Sequence, residues 1–394
     1  MGGIGMILSI LLWVFLLIYP AYLLVFAIAG RRYVSPKYGE PTYHRRLAVV
    51  IPAYQEDAVI LESVATAIKQ DYPSDRFDVI VIADGLSMHT IKLLANMPVR
   101  VIPVAFRQST KVKAIRAAMH ELEGDRYDAI TILDADNHMM PGFLVRTNAA
   151  LHAGFSAIQG VRKAKNSDGS MARLDGLTES INTHIFRRGH RVLGLPSALT
   201  GSGMTFEWTL FRRFIDRSKA VGGFDKELEL MLTHEGVDIL YDEQAVVLDE
   251  KVASASNLSR QRSRWMGAQW HYARLHGKKA FIELFKTGNL AYADKAFQMV
   301  MPPRVLLLAG LAFGSGFVAL FASPTAALPW ASAFLLTVIS MLVSVPKGSK
   351  SLRLRDWLSI PYALTAYVSG LLKSGRANRS FVHTKHNESL QTGN

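Results

Sequence analysis

The chain has 394 residues, enough for one large α/β domain with residues left for membrane segments and too few for more than two soluble domains. Lys and Arg outnumber Asp and Glu by 45 to 32, and the net charge of +13 suits an anionic membrane surface, an anionic substrate or nucleic acid without choosing among them. There is no cysteine, which excludes disulfides, thiolate metal sites and cysteine nucleophiles together.

In chain order, the first element is the apolar stretch Met6 to Ala29, which exceeds the about 20 residues a spanning helix needs. A cleaved secretory signal is the alternative, but it wants a positive n-region and a shorter apolar run. Arg31, Arg32, Lys37, Arg45 and Arg46 follow. Basic residues beside a span mark its cytoplasmic end, so the next domain is expected in the cytoplasm.

From Arg46 to about Arg162, strand-like apolar runs alternate with helical patterns: Leu47 to Ile51, Val79 to Ala83, Val99 to Ala105, Ala129 to Leu133 and Ala157 to Val161. Continuous apolar runs between helices predict a mainly parallel sheet covered on both faces. Ligands bind beyond the carboxyl ends of such strands. Chemistry is therefore expected at Pro52 to Glu56, Asp84 to Ser87 and Asp134 to Asn137.

Asp134 and Asp136 stand two apart after a buried strand, so in an extended chain both carboxylates would point to one side and could serve one hard cation. A capped loop is the plainer alternative. Asp84 before Gly85 can be a simple tight turn or a carboxylate that accepts hydrogen bonds from a base or ribose. Lys113 opens a predicted helix where a cation could meet phosphate, or is solvated. Arg262 and Arg264 with Trp265 suit a diphosphate and a stacked sugar ring, or a basic helix face on an anionic membrane.

Further on, Val305 to Ala322 and Ala327 to Val345 are separated only by Ser323 to Ala326 and read as a transmembrane hairpin. Lys347, Lys350, Arg353 and Arg355 mark its return end as cytoplasmic. The run Trp357 to Leu372 contains Pro361 and precedes Lys373, Arg376 and Arg379. It is either a fourth span or a helix in the interface.

One ordered set of motifs runs from Val49 to about Trp270: Val50-Ile51-Pro52-Ala53-Tyr54-Gln55-Glu56, Ala83-Asp84-Gly85, Lys113-Ala114, Asp134-Ala135-Asp136, Gly201-Ser202-Gly203-Met204, Gly222-Gly223-Phe224-Asp225 and Gln261-Arg262-Ser263-Arg264-Trp265. In this order and with flanking spans the chain resembles the family 2 glycosyltransferases, and among them the membrane-bound cellulose, chitin, hyaluronan and poly-N-acetylglucosamine synthases. The resemblance implies an α/β fold, a GT-A type nucleotide-sugar-binding domain with a mainly parallel sheet, plus transmembrane and interfacial helices. The expected divisions are an anchor at 1–30, a cytoplasmic catalytic domain at 31–275, an amphipathic interface segment at 276–303, a membrane region at 304–373 and a polar tail at 374–394.

It also implies a metal-dependent inverting transferase that moves a hexose or N-acetylhexosamine from a UDP-sugar to a growing β-linked polysaccharide. Ala53, Tyr54, Glu56, Asp84, Lys113, Asp134 and Asp136 would hold the nucleotide sugar, with Asp84 on uracil or ribose and Asp136 on Mg2+ or Mn2+. Gly203, Met204, Gln261, Arg262, Arg264 and Trp265 would face the diphosphate and the acceptor. The family's Thr-Glu-Asp is absent; aligning Leu228-Glu229-Leu230 puts Glu227 at the base position, with Asp225 in reserve and Glu229 or Glu235 if that alignment slips. The implied setting is the cell (inner) membrane with a glycan or lipid-linked acceptor, membrane lipids, an export or accessory subunit and no nucleic acid. Two other functions stay open, transfer of one sugar to a lipid-linked acceptor and a catalytically silent nucleotide-sugar-binding or assembly protein.

Overall fold

The computed structural model describes residues 3–165, 169–251 and 255–346, with positions 364, 365, 368 and 369 beyond them. The expected fourth segment, apart from those four positions, and the polar tail lie outside the described residues.

Eight strands form one sheet: β1 (Leu47–Tyr54), β2 (Phe77–Asp84), β3 (Arg100–Val104), β4 (Ala129–Ile132), β5 (His138–Met139), β6 (Ala157–Ala164), β7 (Met204–Glu207) and β8 (Leu240–Asp249), in the order β3-β2-β1-β4-β7-β6-β8-β5. Strands β3, β2, β1 and β4 are mutually parallel, and β6 is parallel to β8. β7 runs antiparallel between β4 and β6, and β5 antiparallel to β8. The expected apolar runs are β1 to β4 and β6.

Alternation along the strands fills two cores. Ala48, Val50, Ile80, Ile82, Ile130 and Ile132 face one side, where α4 (Lys111–Glu121), α8 (Trp208–Arg217) and α9 (Phe224–His234) supply Ile115, Phe211 and Leu228. Val49, Ile51, Val79, Val81 and Ala129 face the other, covered by α2 (Ile60–Ala67), α3 (Met88–Ala95) and α5 (Phe143–His152). With both faces buried, the carboxyl edge of the sheet remains as the open place for chemistry.

Three helices are long and apolar enough to cross a membrane, within α1 (Gly3–Gly30), α12 (Arg304–Phe321) and α13 (Pro324–Ser344). Leu16, Leu311 and Ala333 pack together between them. The inner end of α1 docks on a chain segment formed by α6 (Ser170–Thr183), a π-helical turn at His184–Gly189 and α7 (His190–Val192). There Phe26 stacks on the His190 ring at 3.9 Å and the His184 ring bonds the Ala27 carbonyl at 2.8 Å. A β-carbon on Gly189 would lie 2.3 Å from the Phe26 carbonyl oxygen, so this contact requires glycine. The long helix α10 (Ala255–Thr287) carries Gln261 to Trp265 and continues unbroken through the expected boundary at 275. With α11 (Leu290–Val300) it packs on α9 through Ala268, Tyr272, Tyr292 and Leu230.

Candidate active site

The site assembles where β1, β2 and β4 end. Tyr54 and Asp84 are register partners at the last positions of β1 and β2. The chain then turns sharply: Gln55 has a φ of 55° and donates its N–H to the Asp84 carbonyl at 3.0 Å, and Gly85 has a φ of 73°. Burial holds the Asp84 carboxyl above the usual range, opposed by the Ser109 hydroxyl. Ala53 is buried behind this corner, and the Glu56 carbonyl opens α2 by accepting from Ile60 N–H.

Sequence reasoning passed over Asp57, which accepts the Ser87 N–H at 2.8 Å and the Thr90 hydroxyl at 2.5 Å and so fixes the turn after Asp84 to α3. Its partners are thirty residues away, so no local motif marks it.

Past β4 the chain turns at Ala135–Asp136 instead of extending. Asp134 and Asp136 still reach solvent on alternate positions, with Ala135 and Asn137 buried between them. Ser202 fixes this turn, since its hydroxyl accepts the Asp134 N–H at 2.9 Å and the Asn137 amide at 2.6 Å. The Lys111 amine pairs with the Asp134 carboxylate and donates to the Gly201 carbonyl at 2.7 Å. Lys113, the lysine singled out from sequence, instead donates to the Gln108 carbonyl at 2.8 Å. Gly203 bonds Ile132 through its N–H at 2.9 Å, and the buried Met204 begins β7 opposite Ile132.

Helix α9 starts at Gly223, in the left-handed region at φ 65°. Its three acids, with Glu235 just past its end, divide sharply. Asp225 lies beside the site loop, where a β-carbon on Gly201 would be 4.0 Å from its Cγ. Glu227, the residue preferred from sequence, is buried on the opposite side and accepts the Ser218 hydroxyl and the N–H groups of Lys219 and Ala220, both at 3.1 Å. Glu229 is wholly buried and accepts the Leu199 N–H at 2.8 Å. Glu235 is held by Arg213 and Arg217 at 2.9 and 2.6 Å. Of the four, Asp225 lies beside Gly201 and Glu229 bonds Leu199, both in the loop that holds Asp134, while Glu227 and Glu235 are held elsewhere.

In α10, Arg262 pairs with Asp175 of α6 at 2.5 Å and lies 4.3 Å from the centroid of the Trp265 ring, a cation–π contact. For Arg264, burial disfavours the charge and the Asp134 carboxylate opposes that effect. Trp265 is 43% exposed, and the Oε1 of Gln261 is buried without a hydrogen-bond donor among the described residues. Arg162, buried behind the site, keeps its charge against desolvation through Glu179, Asp249, Asp134 and Asp225, in that order. Both site carboxylates therefore sit in its field.

Among the described residues no group of three His, Cys, Asp or Glu side chains could cage a metal by itself. Two partly exposed carboxylates at one strand end suit Mg2+ or Mn2+, which usually take one or two carboxylates and complete their shell with substrate phosphates and water.

Residues 44–268, more than half of the chain, match the model for glycosyltransferase like family 2. The chain belongs to the family 2 glycosyltransferases, sugar-transferring enzymes, and its mixed eight-stranded sheet is of the GT-A type. Glucomannan 4-beta-mannosyltransferase 7 of Arabidopsis thaliana is 25% identical over 374 residues, which are 87% of this chain; the chain spans 65% of that relative's own length. The mannosyltransferase PcManGT from Pyrobaculum calidifontis, solved in complex with GDP-Man and Mn2+, superposes with a TM-score of 0.51 at 16% identity, covering 85% of this chain and 96% of its own. That second likeness concerns the fold.

Proposed function

We propose that the chain is a membrane-anchored inverting glycosyltransferase that moves a hexosyl unit from a nucleoside-diphosphate sugar onto a glycan acceptor to give a β-linked product. The observation that carries this reading is the placement of Asp225 beside Gly201, whose carbonyl binds the same Lys111 amine that pairs with Asp134. A donor held at the strand ends would have its diphosphate near Asp134 and Asp136 and its anomeric carbon toward Asp225. In inversion, Asp225 takes the proton of the attacking acceptor hydroxyl while the bond to the diphosphate breaks on the opposite face. Asp136, with Asp134, would hold Mg2+ or Mn2+ on that diphosphate, where the metal supplies charge stabilisation to the leaving group. Arg264 adds guanidinium charge from the far side, and Trp265 offers a flat exposed ring to the acceptor sugar.

The resemblance to the membrane-bound synthases implies UDP-sugars as donors. Both named relatives are mannosyltransferases and one was solved with GDP-Man, so GDP-mannose stands beside them. The basic residues after α1 support a cytoplasmic catalytic domain at the cell membrane. A second reading is single addition to a lipid-linked acceptor. It draws support from the contact of Leu16, Leu311 and Ala333, where the three apolar helices pack on one another.

The test is purified protein in lipid with a panel of UDP-sugars and GDP-mannose, with manganese, magnesium or EDTA. Nucleotide release and product length are read. Long β-linked product supports polymerisation, one added sugar supports the second reading, and no turnover with any donor refutes both.

A further inference from the structure

We infer that Lys295 and Glu229 are positioning residues: their buried ion pair sets the donor-site loop and ties sugar transfer to the packing of the membrane-proximal helix α11. The inference rests on the site assigned above.

Lys295 on α11 and Glu229 on α9 are both 0% exposed, with their charged atoms 3.4 Å apart. Desolvating two charges is costly, and an apolar pair of similar volume commonly gives equal or greater stability, so stability alone is a weak reason for such a pair. Its surroundings suggest another. Glu229 follows Asp225 by four residues and so lies one turn along the same helix face. One of its oxygens accepts the Leu199 N–H at 2.8 Å and lies 3.3 Å from the Lys226 amine, which also reaches the Leu199 carbonyl at 3.4 Å.

Leu199 begins the loop that ends in the site. Two residues on, the Gly201 carbonyl receives Lys111; three residues on, the Ser202 hydroxyl fixes the backbone of Asp134. Glu229 therefore holds the near end of the loop whose far end orients the donor carboxylate. On the other side of the pair, Asp294 precedes Lys295 on α11 and accepts the Tyr22 hydroxyl of α1 at 2.6 Å and the Gln298 amide at 2.8 Å. The contacts run without a gap from membrane helix α1 through α11 and α9 to Asp134. No other described carboxylate pairs with Lys295, so its loss leaves Glu229 to Lys226 alone.

The experiment compares wild type, Lys295→Met, Glu229→Gln and the double variant in lipid, measuring kcat, donor KM, nucleoside-diphosphate affinity and thermal unfolding. Each single variant should lower kcat about 10- to 100-fold, as small misplacements of catalytic groups do, with nucleotide affinity held within about threefold. The double variant keeps an amide oxygen for the Leu199 N–H and removes both members of the buried pair, while Asp294 keeps the Tyr22 hydroxyl and the Gln298 amide. Its kcat should return to within about fivefold of wild type, a non-additive recovery that marks coupled residues. Should Lys295→Met fail to fold, Glu229→Gln and the double variant carry the same comparison. Wild-type kcat in the single variants would overturn the inference, as would losses of kcat and affinity that simply follow the fraction of folded protein. A wild type inactive with every donor would instead refute the assigned reaction, and with it this inference.

Discussion

Three pairs of residues in this site stand two apart on a helix, and each splits. At 3.6 residues per turn such neighbours point about 200° apart. Lys111 reaches Asp134 while Lys113 returns to Gln108; Asp225 lies by Gly201 while Glu227 caps the 218–220 turn; Arg262 pairs with Asp175 while Arg264 feels the charge of Asp134. Sequence order marks both members of each pair equally, and the fold is what sets them apart. Glu227→Gln should therefore act on stability. Replacing a buried acceptor of three donors by a half-matched amide should cost about 1–3 kcal/mol in unfolding while kcat per folded molecule stays near wild type. Denaturant titration beside active-site-normalised kcat checks it. A kcat loss above about 100-fold without destabilisation would return the base to Glu227. The Arg264 and Trp265 variants should separate as well. Arg264→Ala should weaken nucleoside-diphosphate binding and slow the chemical step. Trp265→Ala should leave that affinity nearly intact and raise the acceptor requirement; calorimetry beside acceptor kinetics distinguishes them.

Strands β1, β2, β4 and β6 were readable because both of their faces are largely buried and their apolar runs are continuous, and the edge strand β3 from its apolar run alone. β5, with two residues, and β7, with four, are too short to carry a period. Yet β7 is what brings Gly201 to Gly203 alongside Asp134. The π-helical turn was equally hidden, because its reason is the close approach of α1 at Gly189. That junction should respond to pH. His190 Nδ1 meets the Ile185 carbonyl at 2.8 Å, and Nε2 lies 3.0 Å from the Gln298 amide, 2.9 Å from the Tyr22 hydroxyl and 3.2 Å from the Asp294 carboxylate. Burial holds its pKa below the usual value, with Asp294 opposing. The unfolded chain thus takes a proton near pH 6.5 and the folded chain only at lower pH, so stability falls as pH drops below about 6.5. His184 is lowered by burial in the same sense. Thermal unfolding in lipid should fall between about pH 7.5 and 5.5, and His190→Gln should flatten that slope. An unchanged slope would remove His190 from the account.

At the scale of the whole molecule, α1 packs on the domain that carries the site. The three helices long and apolar enough to cross a membrane were legible as apolar runs, since hydrocarbon fixes the length of helix required. What joins them to the catalytic domain was not, because Tyr22, His190, Asp294 and Gln298 meet across up to 276 residues of sequence. The proposed donor site lies at the sheet edge beside α9, and α9 packs on the α10–α11 pair that continues into α12. An acceptor held near the membrane would approach from that side, where Trp265 is exposed.

The central claim is that Asp225 performs proton transfer in a donor site built around Asp134. Its most direct measurement is acceptor-dependent nucleotide release by Asp225→Asn in lipid, with the best donor and its metal, beside donor affinity on the same preparation. The account predicts a loss of about 10²–10⁴ in turnover, the range for a positioned general base, with donor affinity and thermal unfolding close to wild type. Turnover within about threefold of wild type at unchanged donor affinity would contradict it.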